Sequence, residues 1–296
     1  MNQAKTKSAL LIAGPTASGK SALALRLARE RGGVIINADA LQVYRELRIL
    51  SARPTDAELM QAPHSLYGHV SGLAPYSVAA WLADAGREIT KAWAHGLLPI
   101  VTGGTGLYFT ALEQGLAEVP VIAPEIREKW RGFAGDIHAE LQRLDPVAAS
   151  RLKANDRQRI GRALEVIEGT GKSLLHWQGQ AQQQAFLSGV DVERLLVEVP
   201  REALYARADA RFDQMIAAGA LREVKPLTNL DSSLPMMRAI GMPELIRHLR
   251  GEIALEVAVA LAKIATRQFI KRQLTWGRGQ ARGWTAISPQ NDNSVI

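Results

Sequence analysis

The sequence has 296 residues, 47% of them hydrophobic, which is enough to bury the core of one large domain or of two. It contains no cysteine, so disulfides, thiolate zinc sites and a cysteine nucleophile are excluded and a reducing, cytoplasmic compartment is expected. The formal net charge of +7 favours a polyanionic partner such as nucleic acid. No apolar run approaches the roughly 20 residues that span a bilayer, and the first run stops at Gly14 and Pro15, which argues against a signal peptide.

The first third of the chain alternates strand and helix patterns. An apolar run at residues 10–13 predicts a buried strand, and residues 22–28 predict the start of a helix. Residues 33–39 and 97–106 predict two further strands, with a helix over residues 77–96 between them that opens on a capping serine. Strands separated by helices in this way pair in parallel through right-handed crossovers, so the sequence predicts an α/β fold.

The segment GPTASGKS joins the first predicted strand to the first predicted helix and fits the pattern G-x-x-x-x-G-K-[ST]. Its glycines let backbone amides converge on a phosphate, and the dipole of the following helix strengthens the attraction. Lys20 can reach the outer phosphate, and the Ser21 hydroxyl is the expected ligand of Mg²⁺. The loop predicts binding of a diphosphate or a triphosphate without selecting between them. The residues expected to bind it are Gly14, Pro15, Thr16, Ala17, Ser18, Gly19, Lys20 and Ser21.

Asp39 ends the second predicted strand and admits two interpretations. At the carboxyl edge of a parallel sheet it could hold magnesium through water, as in a nucleotide kinase or ATPase. The alternative is that it merely caps the next helix, as aspartate commonly does. The stretch alone leaves both roles open.

The pattern changes near residue 118. Helix signals then continue without a convincing strand until residues 194–200, and a long helix is predicted over residues 201–218. The predicted fold is therefore α/β, a P-loop NTPase-like parallel sheet flanked by helices, formed by residues 1–117 and 190–296, with an inserted all-helical domain at residues 118–189.

Several further motifs follow one another along the chain. They are Asp39 followed by Gln42-Val43-Tyr44, ARPT at residues 52–55, PH at 63–64, YS at 76–77, GGTGLY at 103–108, and the longer segments 145–173, 238–245 and 265–278. Together with the glycine-rich loop they resemble the tRNA dimethylallyltransferase family over most of residues 8–285. This resemblance is far more specific than the loop alone.

The resemblance implies transfer of a dimethylallyl group from its diphosphate to N6 of the adenosine immediately 3′ of the anticodon in tRNA, with release of diphosphate. Lys20, the loop amides and Mg²⁺ bound by Ser21 would neutralise the departing diphosphate. Asp39 would be the general base that accepts the N6 proton. Thr105 matches a threonine that contacts the reacting groups, although a turn hydroxyl that satisfies local backbone is the alternative.

The resemblance also implies that the target adenosine is extruded from the anticodon stem-loop into a tunnel between core and insertion. In the segment DRQRIGRALEVIEG the apolar positions follow a helical period and leave Gln158, Arg159 and Arg162 on the opposite face. Arginines on such a face are often merely solvated. The match to the family's tRNA-contacting segment and the basic excess of the chain favour RNA.

A second basic stripe, Lys263, Arg267 and Lys271, recurs every four residues and is interpreted as a set of phosphate contacts. The complete tRNA-binding set implied by the resemblance is Asp39, Ala40, Leu41, Gln42, Thr105, Arg127, Gln158, Arg159, Ile160, Gly161, Arg162, Met237, Arg238, Ala239, Ile240, Gly241, Met242, Lys271, Arg272, Gln273, Leu274, Thr275, Trp276, Gly277 and Arg278.

Two departures from the family pattern concern substrate geometry more than activity. Ala40 stands where a serine is usual, and the stretch usually written Gly-Thr-Ala-Lys-Pro reads LSARP at residues 50–54. Three alternatives stay open: a small-molecule or nucleotide kinase, a prenyltransferase for free adenine nucleotides, and an RNA-binding module that uses nucleotide only as a switch. The expected partners are the tRNA anticodon stem-loop and dimethylallyl diphosphate, with Mg²⁺ as cofactor, no membrane and no obligate protein partner, hence a monomer.

Overall fold

The computed structural model describes residues 7–181 and 185–288. Its strands are β1 (Ser8–Ala13), β2 (Gly33–Asn37), β3 (His64–Ser65), β4 (Leu98–Gly103), β5 (Asp191–Val197) and β6 (Thr285–Ile287). They form one six-stranded sheet in the order β3-β2-β4-β1-β5-β6, and every pair is parallel. The predicted parallel α/β fold is confirmed.

Helices make up most of the remaining described chain. They are α1 (Lys20–Arg31), α2 (Asp56–Leu59), α3 (Val78–Ala94), α4 (Gly106–Gln114), α5 (Pro124–Gly132), α6 (Ile137–Leu144), α7 (Pro146–Arg151), α8 (Arg157–Thr170), α9 (Leu174–Ala181), α10 (Arg201–Ala218), α11 (Ala220–Val224), α12 (Met242–Leu249) and α13 (Leu255–Gln280). Two short 3-10 turns, Lys225–Leu227 and Pro235–Arg238, lie between α11 and α12.

The three strands predicted in the first third form the buried centre of the sheet. All five residues of β2 are buried, as are all but the first residue of β1 and of β4, because helices cover both faces of a parallel sheet. Ala13 pairs with Gly103, and Asn37 pairs with Thr102. The segments that follow β1, β2 and β4 therefore leave the sheet at one edge and at nearly the same level.

Capping residues in the sequence correctly predicted the start of α3 and the end of α10. The Ser77 hydroxyl accepts the Ala80 N–H (3.2 Å), and α3 begins at the next residue. Helix α10 spans the predicted residues and ends at Gly219, which is left-handed with φ of 105°. The glutamine-rich segment at residues 178–184, whose composition predicts a loop, is helical up to Ala181, and residues 182–184 lie outside the described residues.

The chain divides into two compact units, one formed by residues up to Thr110 together with those from Gly189, the other by Ala111–Ser188. The described part of the second unit is helical and packs around an apolar cluster that includes Trp130, Leu141 and Leu164. Its two ends are adjacent, since the Leu187 N–H donates to the Leu112 carbonyl (3.3 Å).

None of the helices in the described ranges is both long and apolar enough to cross a membrane.

Candidate functional site

The glycine-rich loop connects β1 to α1 in a compact turn. The Ser18 N–H donates to the Pro15 carbonyl (3.2 Å), and Gly19 and Ala17 adopt positive φ angles of 91° and 64°. In the described chain, α1 has neither a capping side chain nor an acidic residue in its first turn. Its amino end therefore presents N–H groups that an anion can satisfy.

Lys20 projects from this loop into a half-buried position. Its Nζ donates to the Pro15 carbonyl (3.3 Å). Burial lowers the pKa of Lys20 from 10.5 to about 8, the Asp39 carboxylate partly opposes the change, and the Arg211 guanidinium adds to it. The loop thus holds a cation whose charge a bound anion would stabilise.

Asp39 lies just beyond β2 in a turn organised by Asn37. The Asn37 side chain accepts the Asp39 N–H (2.9 Å) and donates to the Asp39 carbonyl (3.0 Å). Asp39 Oδ1 accepts the N–H groups of Leu41 (2.9 Å) and Gln42 (3.4 Å). These bonds resemble a helix cap, but the residues that follow form a turn and the next helix begins only at Asp56. Oδ2 accepts no hydrogen bond from any described residue, so one carboxylate oxygen orders the turn and the other is available.

Thr105, at the start of the turn after β4, is bound to the Asp39 turn. Its N–H donates to the Ala38 carbonyl (3.1 Å), and its Oγ1 accepts the Ala40 N–H (2.9 Å). The preceding Gly103 packs directly on Ala38, whose carbonyl a side chain at that position would overlap. The hydroxyl therefore joins two loops that are 65 residues apart in sequence, rather than satisfying the backbone of its own turn, and its proton stays available for donation.

Helix α13 brings two predicted tRNA-binding residues to the same edge of the sheet. Gln273 accepts the Thr16 N–H (2.8 Å) and donates to the Gly104 carbonyl (3.0 Å). The Trp276 ring packs directly on Gly106. Both side chains point into the compact unit that contains the glycine-rich loop.

A pocket of about 440 Å³ adjoins the loop between the ends of β1, β4 and β5 and helix α13. Its apolar walls include Phe109, Leu196, Val197, Val199, Leu274 and Trp276. Gly14 and Pro15 of the loop, together with Gln273, form the side nearest the phosphate site. The pocket can hold a hydrocarbon group beside a bound phosphate.

Arg211 belongs to the site although sequence reasoning missed it. It lies on α10, and burial lowers its pKa while the nearby Asp39 carboxylate opposes that change. The helical period of the sequence does not distinguish an arginine that faces a site from one that faces solvent. Its role became visible only once α10 was placed beside the loop.

A magnesium site of the P-loop kind is compatible with the side chains present. No cluster of three His, Cys, Asp or Glu residues that could hold a metal occurs among the described residues. Mg²⁺ in such sites instead takes one or two protein oxygens and completes its shell with phosphate oxygens and water. The Ser21 hydroxyl fits this role, because it is exposed and makes no hydrogen bond within the described chain.

The predicted RNA-facing residues of α8 are divided between surface and core. Arg159 lies at the surface beside Asp156 (3.5 Å), and Arg162 pairs with Glu165 (3.3 Å). Gln158 is also exposed. Ile160 and Gly161 are buried in the helical unit, so their side-chain positions face its core.

The remaining predicted tRNA-binding residues show the same division. Arg127 is half-buried on α5. Buried are Met237, Ala239, Gly241, Met242 and Gly277; half-buried are Ala40, Leu41, Gln42, Ile240 and Leu274; exposed are Arg238, Lys271, Arg272, Thr275 and Arg278.

The second basic stripe is largely engaged in ion pairs. Lys263 Nζ lies 2.7 Å from Asp213, and Arg267 pairs with Asp209, so both side chains cross from α13 to α10. Lys271 is exposed beyond them. The structure therefore supports a role for Lys263 and Arg267 in joining α13 to α10. It gives no such support to the predicted phosphate contacts of these two residues.

Comparison with known families and proteins gives consistent matches. The model of the IPP transferase family matches residues 42–280, and an isopentenyl transferase model matches residues 7–67. The chain is 51% identical over 288 residues to the tRNA dimethylallyltransferase of Azorhizobium caulinodans, covering 95% of this chain and 92% of that protein. It is 50% identical over 295 residues to the same-named protein of Nitrobacter hamburgensis, covering 97% and 93%.

Solved structures are similar over nearly the whole chain. The tRNA isopentenylpyrophosphate transferase of Staphylococcus epidermidis has a TM-score of 0.69 at 30% identity, covering 96% of this chain and 94% of that one. A eukaryotic dimethylallyltransferase, solved in crystallographic snapshots of its action on tRNA, has a TM-score of 0.79 at 28% identity and covers 92% and 70%.

Proposed function

We propose that this chain, which belongs to the IPP transferase family, transfers a dimethylallyl group from dimethylallyl diphosphate to N6 of the adenosine immediately 3′ of the anticodon. Its relatives at 50% and 51% identity are tRNA dimethylallyltransferases. One observation carries the proposal. The phosphate loop after β1 and the Asp39 turn after β2 leave the carboxyl edge of the sheet on either side of β4, with Lys20 within electrostatic reach of Asp39.

The donor diphosphate binds at the amino end of α1. The loop amides, Lys20 and Arg211 neutralise the charge that grows on the leaving diphosphate as the C1–O bond breaks. The Ser21 hydroxyl would hold Mg²⁺, which would supply further charge stabilisation to the leaving diphosphate. The dimethylallyl group lies against the apolar pocket beside the loop.

Asp39 is the general base. As N6 of the adenine attacks C1, the N6 proton passes to Oδ2, the new N–C bond forms, and diphosphate departs with the electron pair of the broken C–O bond. The Thr105 hydroxyl, held by the Ala40 amide, orients the amine beside this oxygen. Asp39 Oδ1 keeps the carboxylate in place through the amides of Leu41 and Gln42.

The tRNA is gripped mainly by exposed basic residues. Arg159 and Arg162 on α8, with Lys271, Arg272 and Arg278 on α13, contact phosphates of the anticodon stem-loop. The enzyme works as a monomer in the cytoplasm.

The direct test incubates the protein with dimethylallyl diphosphate, Mg²⁺ and unmodified tRNA, without ATP, and weighs the digested nucleosides. An adenosine carrying one added prenyl group is the expected product. In the Asp39→Asn variant, turnover should fall by about 10²- to 10⁴-fold, since the base is lost but its shape is kept, while tRNA affinity stays at the wild-type level. No prenylated nucleoside together with ATP-dependent phosphorylation of a small acceptor would instead establish the kinase alternative. Equal losses of affinity and turnover would remove Asp39 from the role of base.

A further inference from the structure

Gln273 connects two loops that belong to different parts of the site. Its Oε1 accepts the Thr16 N–H of the phosphate loop (2.8 Å), and its Nε2 donates to the Gly104 carbonyl (3.0 Å). These partners fix the orientation of the amide, because a backbone N–H can only donate and a carbonyl can only accept. The bridge therefore requires both an acceptor and a donor at the end of this side chain.

The bridge lies where the donor and acceptor sides of the site meet. A side chain on Gly104 would overlap the Gln273 amide, and its Cβ would lie 3.7 Å from Asp39 Oδ2. The Gln273 amide and the available oxygen of Asp39 thus border the same small space. Only a glycine at position 104 leaves room for both groups.

The sheet explains why such a bridge is needed. Strands β1 and β4 are paired with Ala13 opposite Gly103, and the loops that follow them leave the sheet at the same level. Nothing in strand pairing fixes the separation of the loops beyond that point. Helix α13 inserts Gln273 between them and links each to the same amide group.

We propose that Gln273 is a positioning residue, not a tRNA ligand, and that it sets the distance between the phosphate loop and the loop after β4. The loop after β4 in turn holds the Asp39 turn, because Thr105 is hydrogen-bonded to the backbone of Ala38 and Ala40. The inference rests on the proposed function. Each loop can bind its own substrate without the bridge, whereas the alignment of the reacting atoms depends on it. A misplacement of about 1 Å between reacting groups can cost about 10²-fold in rate, so the loss appears in kcat.

The test compares Gln273→Met, which removes both hydrogen bonds, with wild type and with Gln280→Met, the same change at an exposed position of α13. We expect Gln273→Met to lower kcat by about 10- to 100-fold at saturating donor and tRNA. The dissociation constants for diphosphate and for tRNA, and the melting temperature, should stay close to those of wild type. Gln280→Met should match wild type in every measurement.

A second variant, Gln273→Glu, separates the two halves of the bridge. Its carboxylate can still accept the Thr16 N–H but repels the Gly104 carbonyl until it is protonated. The kcat of this variant relative to wild type should therefore rise as pH falls, whereas the ratio for Gln273→Met stays flat. Asp39, Lys20 and Arg211 lie around this space, and Glu198 and Arg278 line the pocket beside Gln273. All of these charged groups are the same in both variants, so their contributions cancel in the comparison.

Several results would overturn the proposal. Wild-type kcat in Gln273→Met would show that the bridge is dispensable, and a loss confined to tRNA affinity would make Gln273 a tRNA contact. A pH-independent ratio for Gln273→Glu would remove the Gly104 half of the bridge. A general loss of melting temperature with equal losses in all constants would reduce the role to folding. Failure of the proposed function is distinct, because wild type itself would then yield no prenylated nucleoside.

Discussion

Lys20 carries a charge that depends on what the loop binds. Burial lowers its pKa to about 8 in the free protein, although Asp39 partly counteracts this effect. A diphosphate bound at the loop would bring negative charge against the ammonium and raise the pKa again. Donor binding and protonation of this one side chain should therefore be coupled.

The expected result is proton uptake on binding. Near pH 8 and above, a growing fraction of the free protein holds neutral Lys20, so affinity for inorganic diphosphate should fall as pH rises through about 8. Calorimetry in buffers of different ionisation enthalpy should detect protons taken up in this range. The Lys20→Met variant should bind inorganic diphosphate weakly and take up no protons on binding. The Lys91→Met variant, changed at an exposed position, should keep the wild-type diphosphate affinity and the wild-type proton uptake. Affinity and uptake that do not change with pH would show that Lys20 is already charged in the free protein.

Residues differ in how far the sequence could reveal them. The positions of Lys20 and Ser21 were predictable because the loop that holds them is local in sequence, and that of Asp39 because it closely follows a recognisable strand. Arg211 and the inward role of Gln273 were not, because both act from helices that approach the loop only in the folded chain. Sequence distance conceals contacts of this kind even where each helix is predicted.

Helix α8 illustrates what can be decided at the scale of one element. Its apolar face was predicted and is buried, with Ile160, Ala163 and Leu164 in the core of the helical unit. Arg159 and Arg162 each lie beside an acidic residue three positions away in sequence. The exposed Arg159–Asp156 pair contributes little free energy, so a tRNA phosphate can displace Asp156 at small cost. Glu165 is buried, but Arg131 also lies 3.8 Å from it and can remain its partner when Arg162 binds a phosphate.

The double variant Arg159→Ala/Arg162→Ala tests the RNA role of α8. If both arginines contact phosphates, affinity for every tRNA should fall, and each lost contact should reduce the slope of log affinity against log salt by about 0.7 to 1. Prenyl transfer at saturating tRNA should persist. Arg143→Ala, which removes an exposed arginine paired with Glu140 on α6, is the matched control and should leave the slope unchanged. Coincident salt lines for the double variant and wild type would contradict the assignment.

Two edge strands and the basic stripe of α13 could not be assigned from sequence patterns alone. Strands β3 and β6 have two and three residues, which are too few to give a periodic pattern in the sequence. They lie at the sheet edges because they pair with β2 and with β5. On α13 the four-residue spacing of Lys263 and Arg267 was real, but the acidic residues of α10 that pair with them could not be located without the fold. A basic stripe is therefore ambiguous until the facing helix is known.

At the scale of the whole molecule, the inserted unit begins inside a helix. The sequence suggested boundaries at residues 117 and 190, whereas the compact units separate after Thr110 and before Gly189. Helix α4 runs without interruption across the first of these points to Gln114, so no glycine or proline marks it. The fold class was more predictable, because the phosphate loop and the alternation of strands and helices constrain the sheet strongly.

The adjacent ends of the inserted unit permit a test of which unit binds the donor and which binds tRNA. Because the Leu187 N–H contacts the Leu112 carbonyl, a flexible linker of about six residues can replace residues 115–184 and still span the gap. If the sheet-containing unit binds the donor by itself, this variant should unfold cooperatively and bind inorganic diphosphate as wild type does. If the helical unit grips the RNA, the same variant should lose most of its tRNA affinity and its prenyl transfer.

Full-length Lys20→Ala is the complementary variant, since it should lose diphosphate affinity and keep tRNA affinity. Opposite losses in the two proteins would assign one substrate to each unit, because a general folding defect weakens both affinities together. Wild-type tRNA affinity in the deletion variant would place the RNA grip on the sheet-containing unit, where exposed Lys271, Arg272 and Arg278 are the first candidates. Loss of cooperative unfolding in that variant would show that the sheet requires the inserted helices for its own stability.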